Sequence, residues 1–135
     1  MKMILKPEFA AFVLRVTFGC VILAHSLYLK LMVFTLPGTA AFFTSIGLPA
    51  LFAYIVFIVE VITGSALILG VKTRLSAMLV FPVLIGATWV HWSNGWLFSN
   101  TGGGWEYPLV LAMMAVVQIG LGDGKYSLNS FVGRN

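Results

Sequence analysis

Glu60 stands near the middle of an otherwise apolar run, Leu51 to Gly70, in a chain that holds four acidic residues in 135. A carboxylate at that depth of a bilayer is costly unless it is paired, protonated or reached by water. Arg15 is a second anomaly of the same kind, inside the first apolar run. Two opposite charges in two apolar segments suggest an internal pair, and the pairing expected from the sequence is Arg15 with Glu60. The other polar groups that could act chemically are His25, Lys30, His91, Trp92 and Glu106. A buried carboxylate and an imidazole are the groups that relay protons, so Glu60 and His91 are the candidate catalytic residues. Arg15, His25, Lys30, Trp92 and Glu106 are the candidate ligand-binding residues.

Blander readings compete with each assignment. Tryptophans at the ends of apolar runs are enriched at membrane interfaces, and Trp92, Trp96, Trp105 and Tyr107 fit that belt. An Arg15–Glu60 pair would be needed for burial alone, whatever the function. Glu106 suits the positive end of a helix it opens. The two histidines and two carboxylates match metal-binding types, but none shows a local ligand spacing, so no metal site is expected. Cys20 is the single cysteine, which excludes a CxxC redox pair and leaves it as a small buried packing residue. No nucleophile elbow, phosphate loop, dinucleotide fingerprint or haem-attachment motif occurs.

The elements that must position these groups follow from composition. The chain is 60% hydrophobic and 9% charged, against roughly 25% charged in a soluble domain. It reads as an all-α integral membrane four-helix bundle forming a single domain over residues 1–135. The four spans run from Glu8 to Leu29, Leu51 to Gly70, Leu75 to Trp92 and Glu106 to Leu121. The segment between the first two spans is too short to cross. It carries Pro37-Gly38 and two phenylalanines and is expected to hold a short interfacial helix, about Thr39 to Ile46. Val71-Lys72-Thr73-Arg74 allows only an antiparallel hairpin. Pro82 should kink the third span. Ser93 to Trp105, with three consecutive glycines, reads as a mobile outer loop.

Spacing also assigns faces. Arg15, Gly19, Ile22 and Ser26 share one stripe of the first helix, and Ala53, Glu60 and Gly64 share one face of the second. Small residues there permit close approach of a neighbouring backbone. Lys2, Lys6, Lys72, Arg74, Lys125 and Arg134 fall on one side of such a bundle and Lys30 alone on the other. The positive-inside rule then places both termini in the cytoplasm. This topology accounts for the net charge of +4 without invoking nucleic acid. Lys2 and Lys6 before an apolar run resemble a signal peptide, but Arg15 interrupts its core, so the first helix is expected to remain uncleaved.

Taken in order, Arg15, His25, Lys30, Gly47-Leu48-Pro49, Glu60 with Gly64, the run Leu67 to Arg74, His91, and Gly122-x-Gly124-x-Tyr126-Ser127 resemble the DoxX family of small four-helix bacterial membrane proteins. Asn129 departs from the family's pattern, in which an aspartate often follows the Tyr-Ser pair. The resemblance implies a location in the bacterial inner membrane and association with membrane redox complexes that oxidise thiols or sulfur compounds, or that defend against oxidants. Three functions follow. The first is a quinone-linked subunit without its own redox cofactor, possessing an apolar slot, hydrogen-bond donors and a proton source. The second is a non-catalytic scaffold that docks a soluble redox partner, or that self-associates. The third is a carrier for a small molecule or metal. On the first, His25, Lys30, His91 and Glu106 are expected to line one pocket under the Ser93–Trp105 loop.

Overall fold

The computed structural model describes residues 5–132; Lys2 and Arg134, two of the basic residues used to orient the chain, lie outside that range. Every regular element among the described residues is helical. Helix α1 spans Pro7–Leu23 and continues without a break as a π-helix over Ala24–Val33. Helix α2 spans Leu36–Ser45, α3 Ala50–Leu69, α4 Thr73–His91, α5 Glu106–Leu121, and the short α6 Leu128–Val132. Helices α1, α3, α4 and α5 close a ring in which α1 packs on α3 and α5, and α4 on α3 and α5. Helix α2 lies against α3 and the π segment. This is the all-α membrane bundle with a short helix between its first two members.

Three of these helices are long and apolar enough to cross a bilayer: Pro7–Val33, Ala50–Leu69 and Thr73–Asn94. The fourth, α5, has 16 residues, a rise of about 24 Å against a hydrocarbon core of about 30 Å. Its packing on two neighbours, rather than its length, places it in the bundle.

The predicted faces are buried as expected. Arg15, Ile22 and Ser26 of the α1 stripe and Ala53 and Glu60 of α3 are all within 5% exposure, and both glycines are buried. Gly19 and Gly64 are where α1 meets α3. A Cβ on Gly19 would come within 2.8 Å of the Gly64 carbonyl oxygen, and one on Gly64 within 2.9 Å of the Leu23 side chain. Phe18, Ile22, Leu67, Val80, Leu84 and Leu111 form the core between the four helices, filled in by Ala112 and Ala115. Cys20 corrects the expectation of a buried packing residue: it is exposed on α1, a position that four helices in a ring leave to lipid.

The α3–α4 hairpin turns as tightly as its sequence requires. Gly70 takes a left-handed conformation (φ 71°), and the Val71 N–H returns to the Ala66 carbonyl at 2.9 Å, the bond that closes many helix C-termini. Pro82 lies inside α4 without ending it, so the Met78 carbonyl loses its helical donor.

Candidate functional site

Lys30 is the partner of Glu60. Its Nζ donates to Oε1 at 3.0 Å and lies 2.8 Å from Oε2, where no aligned hydrogen bond forms. The two side chains are 17% and 6% exposed. This is the sole ion pair among the described residues, and it corrects the Arg15–Glu60 pairing.

The correction has two physical causes. Arg15 spends its charge differently: its guanidinium carries five N–H donors, and all five find backbone carbonyls. Nε donates to Asp123, Nη1 to Leu67 and Ile68, and Nη2 to Lys125 and Tyr126, at 2.8 to 3.2 Å. Arg15 is therefore the post around which the Gly122-x-Gly124-x-Tyr126-Ser127 segment wraps. Gly124 (φ 68°) allows that wrap, since a Cβ there would come within 2.7 Å of the Glu8 carbonyl oxygen. Asn129 donates to the Asp123 carboxylate at 3.2 Å, so this departure from the family pattern has a structural partner.

The second cause is the π-helix. In an α-helix, residues five apart point about 140° from each other, which would send either His25 or Lys30 away from the interior. A π-helix bonds i to i+5, so five residues return close to one face. The Phe34 N–H bonding the Leu29 carbonyl at 2.8 Å shows that spacing at the segment's end. Both His25 and Lys30 consequently line the same cavity. Nothing in side-chain periodicity announces this wider winding, and the sequence reading places Lys30 merely beyond the helix end.

The cavity measures about 1260 Å³ and lies between the π segment, α2, the N-terminal half of α3, the C-terminal half of α4 and the start of α5. His25, Lys30, Glu60, His91 and Tyr107 are its ionisable members. Phe98 and Gly102 to Gly104 bring the Ser93–Trp105 loop to its edge, as the pocket expectation requires. The loop is better fastened than its glycines suggest. Trp105 stacks on Trp92 at 4.7 Å and meets Trp96 edge-to-face at 4.5 Å. The Trp105 N–H bonds the Gly95 carbonyl at 3.0 Å, and Asn94 donates to the Gly103 carbonyl at 2.9 Å.

Each histidine has its Nδ1 committed. His25 Nδ1 lies 2.9 Å from the Val21 carbonyl oxygen and His91 Nδ1 2.7 Å from that of Ala87. A carbonyl can only accept, so Nδ1 carries the hydrogen, and in a neutral ring Nε2 is left as an acceptor. The cavity thus combines one ammonium–carboxylate pair with two oriented imidazoles in mainly apolar surroundings.

Three sequence candidates fall outside this cavity. Arg15 serves the tail, Trp92 serves the loop, and Glu106 does not line it. Tyr107 takes the place expected for Glu106: it lines the cavity and stacks on His25 at 5.6 Å. Adjacent helical residues diverge by about 100°, so when Tyr107 faces inward Glu106 does not. The sequence reading had assigned Tyr107 to the aromatic belt. Thr39, Phe42 and Phe43 of α2 also line the cavity, with Phe42 about half exposed at its rim.

Residues 10–92 match the sequence model of the DoxX family, more than half the chain. The chain belongs to the DoxX family. A relative from Bacillus subtilis (strain 168), named Putative oxidoreductase CatD, is 38% identical over 80 residues, covering 59% of this DoxX chain and 58% of the relative. The match therefore spans less than two thirds of that relative's length. No solved structure matches this DoxX chain. The range matched by the family model spans Arg15, His25, Lys30, Glu60 and His91 and stops before Tyr107 and the Arg15-binding tail.

Proposed function

We propose that this DoxX protein is a quinone-binding subunit of a redox assembly in the bacterial inner membrane, folded as one domain with both termini in the cytoplasm. The observation that carries the reading is the convergence of Lys30, Glu60, His25 and His91 on one largely apolar cavity. A quinone needs an apolar slot for its ring and hydrogen-bond donors at its carbonyls. Lys30 supplies donors. Glu60, in contact with Lys30, can pass a proton to or from the ring oxygen, and either histidine can do the same through Nε2. Reduction of a quinone to its hydroquinone takes two electrons and two protons. The protons come through these side chains; the electrons come from a partner protein or from a thiol or sulfur substrate that is oxidised. The name of the Bacillus subtilis relative, an oxidoreductase, supports this class of chemistry.

Purification in mild detergent, solvent extraction and mass spectrometry test the reading. Quinone is expected at near one per chain in the wild type and at a small fraction of that in Lys30→Met. Quinone no more abundant than in an unrelated membrane protein from the same membranes would overturn it.

A further inference from the structure

The shape of the cavity says more about its ligand than the polar cluster does. Its ionisable pair lies at mid-depth: Glu60 is halfway along α3, level with Pro82 halfway along α4 in the antiparallel hairpin. From Pro82 to His91 the lining of α4 rises about 13 Å. Along this stretch the rim is made of apolar side chains that are themselves exposed, among them Phe42, Phe52, Ile55 and Trp89. In a bilayer such a rim meets lipid, not water. The volume, about 1260 Å³, exceeds the roughly 300–1,000 Å³ of pockets for compact ligands. Gly86 lines this passage, and a Cβ on it would meet nothing within 4 Å. Space is therefore open directly beside the α4 backbone, next to the turn that Pro82 relieves of its hydrogen bond.

We infer that the cavity takes a membrane amphiphile sideways from the bilayer, with its polar head at Lys30–Glu60 and its apolar chain in the slot between α3 and α4 beneath α2. The inference rests on the reading of this cavity as a ligand site and adds the ligand's class: a chain-bearing lipid, whether a prenylated quinone or an acyl lipid. A water-borne small molecule is excluded by it.

The test uses proteoliposomes of the wild type, Gly86→Trp and Gly120→Trp. Gly120 is also open around its Cβ but lies on α5 away from the cavity, so it controls for an added tryptophan; Gly86→Leu serves if Gly86→Trp is not monodisperse. A single-chain amphiphile with a diazirine at mid-chain is photolysed, and its adducts are mapped by mass spectrometry. Adducts should concentrate on Phe52–Val56 and Val83–Val90, fall about tenfold in Gly86→Trp (equivalent to 1.4 kcal/mol) and persist in Gly120→Trp. Adducts spread evenly over all lipid-facing helices, or unchanged in Gly86→Trp, overturn the inference. A quinone with a decyl chain and the same ring without it are then used as competitors. If the chain-bearing ring competes about tenfold better and loses that advantage in Gly86→Trp, the head is a quinone and the slot holds its chain. If both rings compete equally and Gly86→Trp affects neither, the quinone reading stands and the slot fails. If neither ring competes while labelling still depends on Gly86, the slot stands with an acyl lipid and the quinone reading fails.

Discussion

A buried cation, Arg15, and a half-buried one, Lys30, solve the same problem in different ways. Lys30 neutralises a carboxylate, whereas Arg15 hands five hydrogens to five carbonyl oxygens. Their substitutions should diverge. Removing Lys30 leaves the Glu60 charge buried and unpaired, a loss of about 3–5 kcal/mol for pairs of this kind; converting both to apolar residues should recover most of it. A double-mutant cycle of Lys30→Met and Glu60→Leu, read by thermal unfolding in detergent, should therefore be strongly non-additive. The cycle of Arg15→Leu with Glu60→Leu should be additive, and coupling of more than about 1 kcal/mol there would contradict the geometry. Arg15→Lys keeps the charge but offers three donors where five are used, so it should lower the melting temperature nearly as much as Arg15→Leu. From the sequence, that Arg15 and Glu60 were special was legible, because a charge in an apolar run is costly whatever its partner. The identity of the partners was not. It depends on the winding of residues 24–33 and on a tail more than 100 positions from Arg15 in the chain.

At the level of elements, the π segment carries the site. Deleting one exposed residue inside it, Tyr28, would shorten the spacing of His25 and Lys30 from five to four. Four residues in an ordinary α-helix point within about 40° of each other. The deletion should therefore relax the segment to α-helix while keeping both side chains in the cavity, with ligand binding largely retained. An alanine inserted at the same point should cost binding more than tenfold, because six residues fit neither winding. Far-ultraviolet dichroism and ligand titration read both outcomes; a deletion as damaging as the insertion would show that the wide winding is not what joins the two residues. The α1–α3 contact offers a second comparison. Gly19→Ala presses on the Gly64 carbonyl oxygen at 2.8 Å, whereas Gly64→Ala meets chiefly the Leu23 side chain and comes only within 3.3 Å of a backbone carbonyl. The first should cost roughly 1–3 kcal/mol, and the second clearly less, in thermal unfolding. The stripes that meet here were readable from 3.6-residue spacing alone. The inward face of α2 was not, since a short helix with two phenylalanines looks the same whether it roofs a cavity or floats in lipid.

For the whole molecule, the assignment of sides follows from basic residues gathered at one end, of which Lys6, Lys72, Arg74 and Lys125 are described and exposed. In a Cys20→Ser background, a cysteine at Asn100 should react with a membrane-impermeant maleimide added outside intact spheroplasts, and one at Lys72 should react only after permeabilisation. Reversed labelling would invert the bundle and place the cavity mouth toward the cytoplasm. The four-helix ring itself was the most legible level of all, because hydropathy and short connections leave few other ways to join the helices. Its weakest element by length, α5, is the one whose place depends on packing against α1 and α4 rather than on apolar extent.

The embrace of Arg15 by the Gly122–Ser127 segment has a consequence in time. Nε and both hydrogens of Nη2 are satisfied by residues 123, 125 and 126, which a ribosome reaches at least 100 residues after Arg15. At about 5–20 residues per second, the first helix waits many seconds with a cation in its apolar span and most of its partners unmade. Until then it must stay at the insertion machinery, near water, or borrow a temporary acceptor. A chain stopped after Leu121 would keep every helix of the ring but lack three of the five acceptors of Arg15, and pulse-chase should find it degraded faster than the chain of 135 residues. The short segment after α5 thus completes the hydrogen bonding of a cation made more than 100 residues earlier.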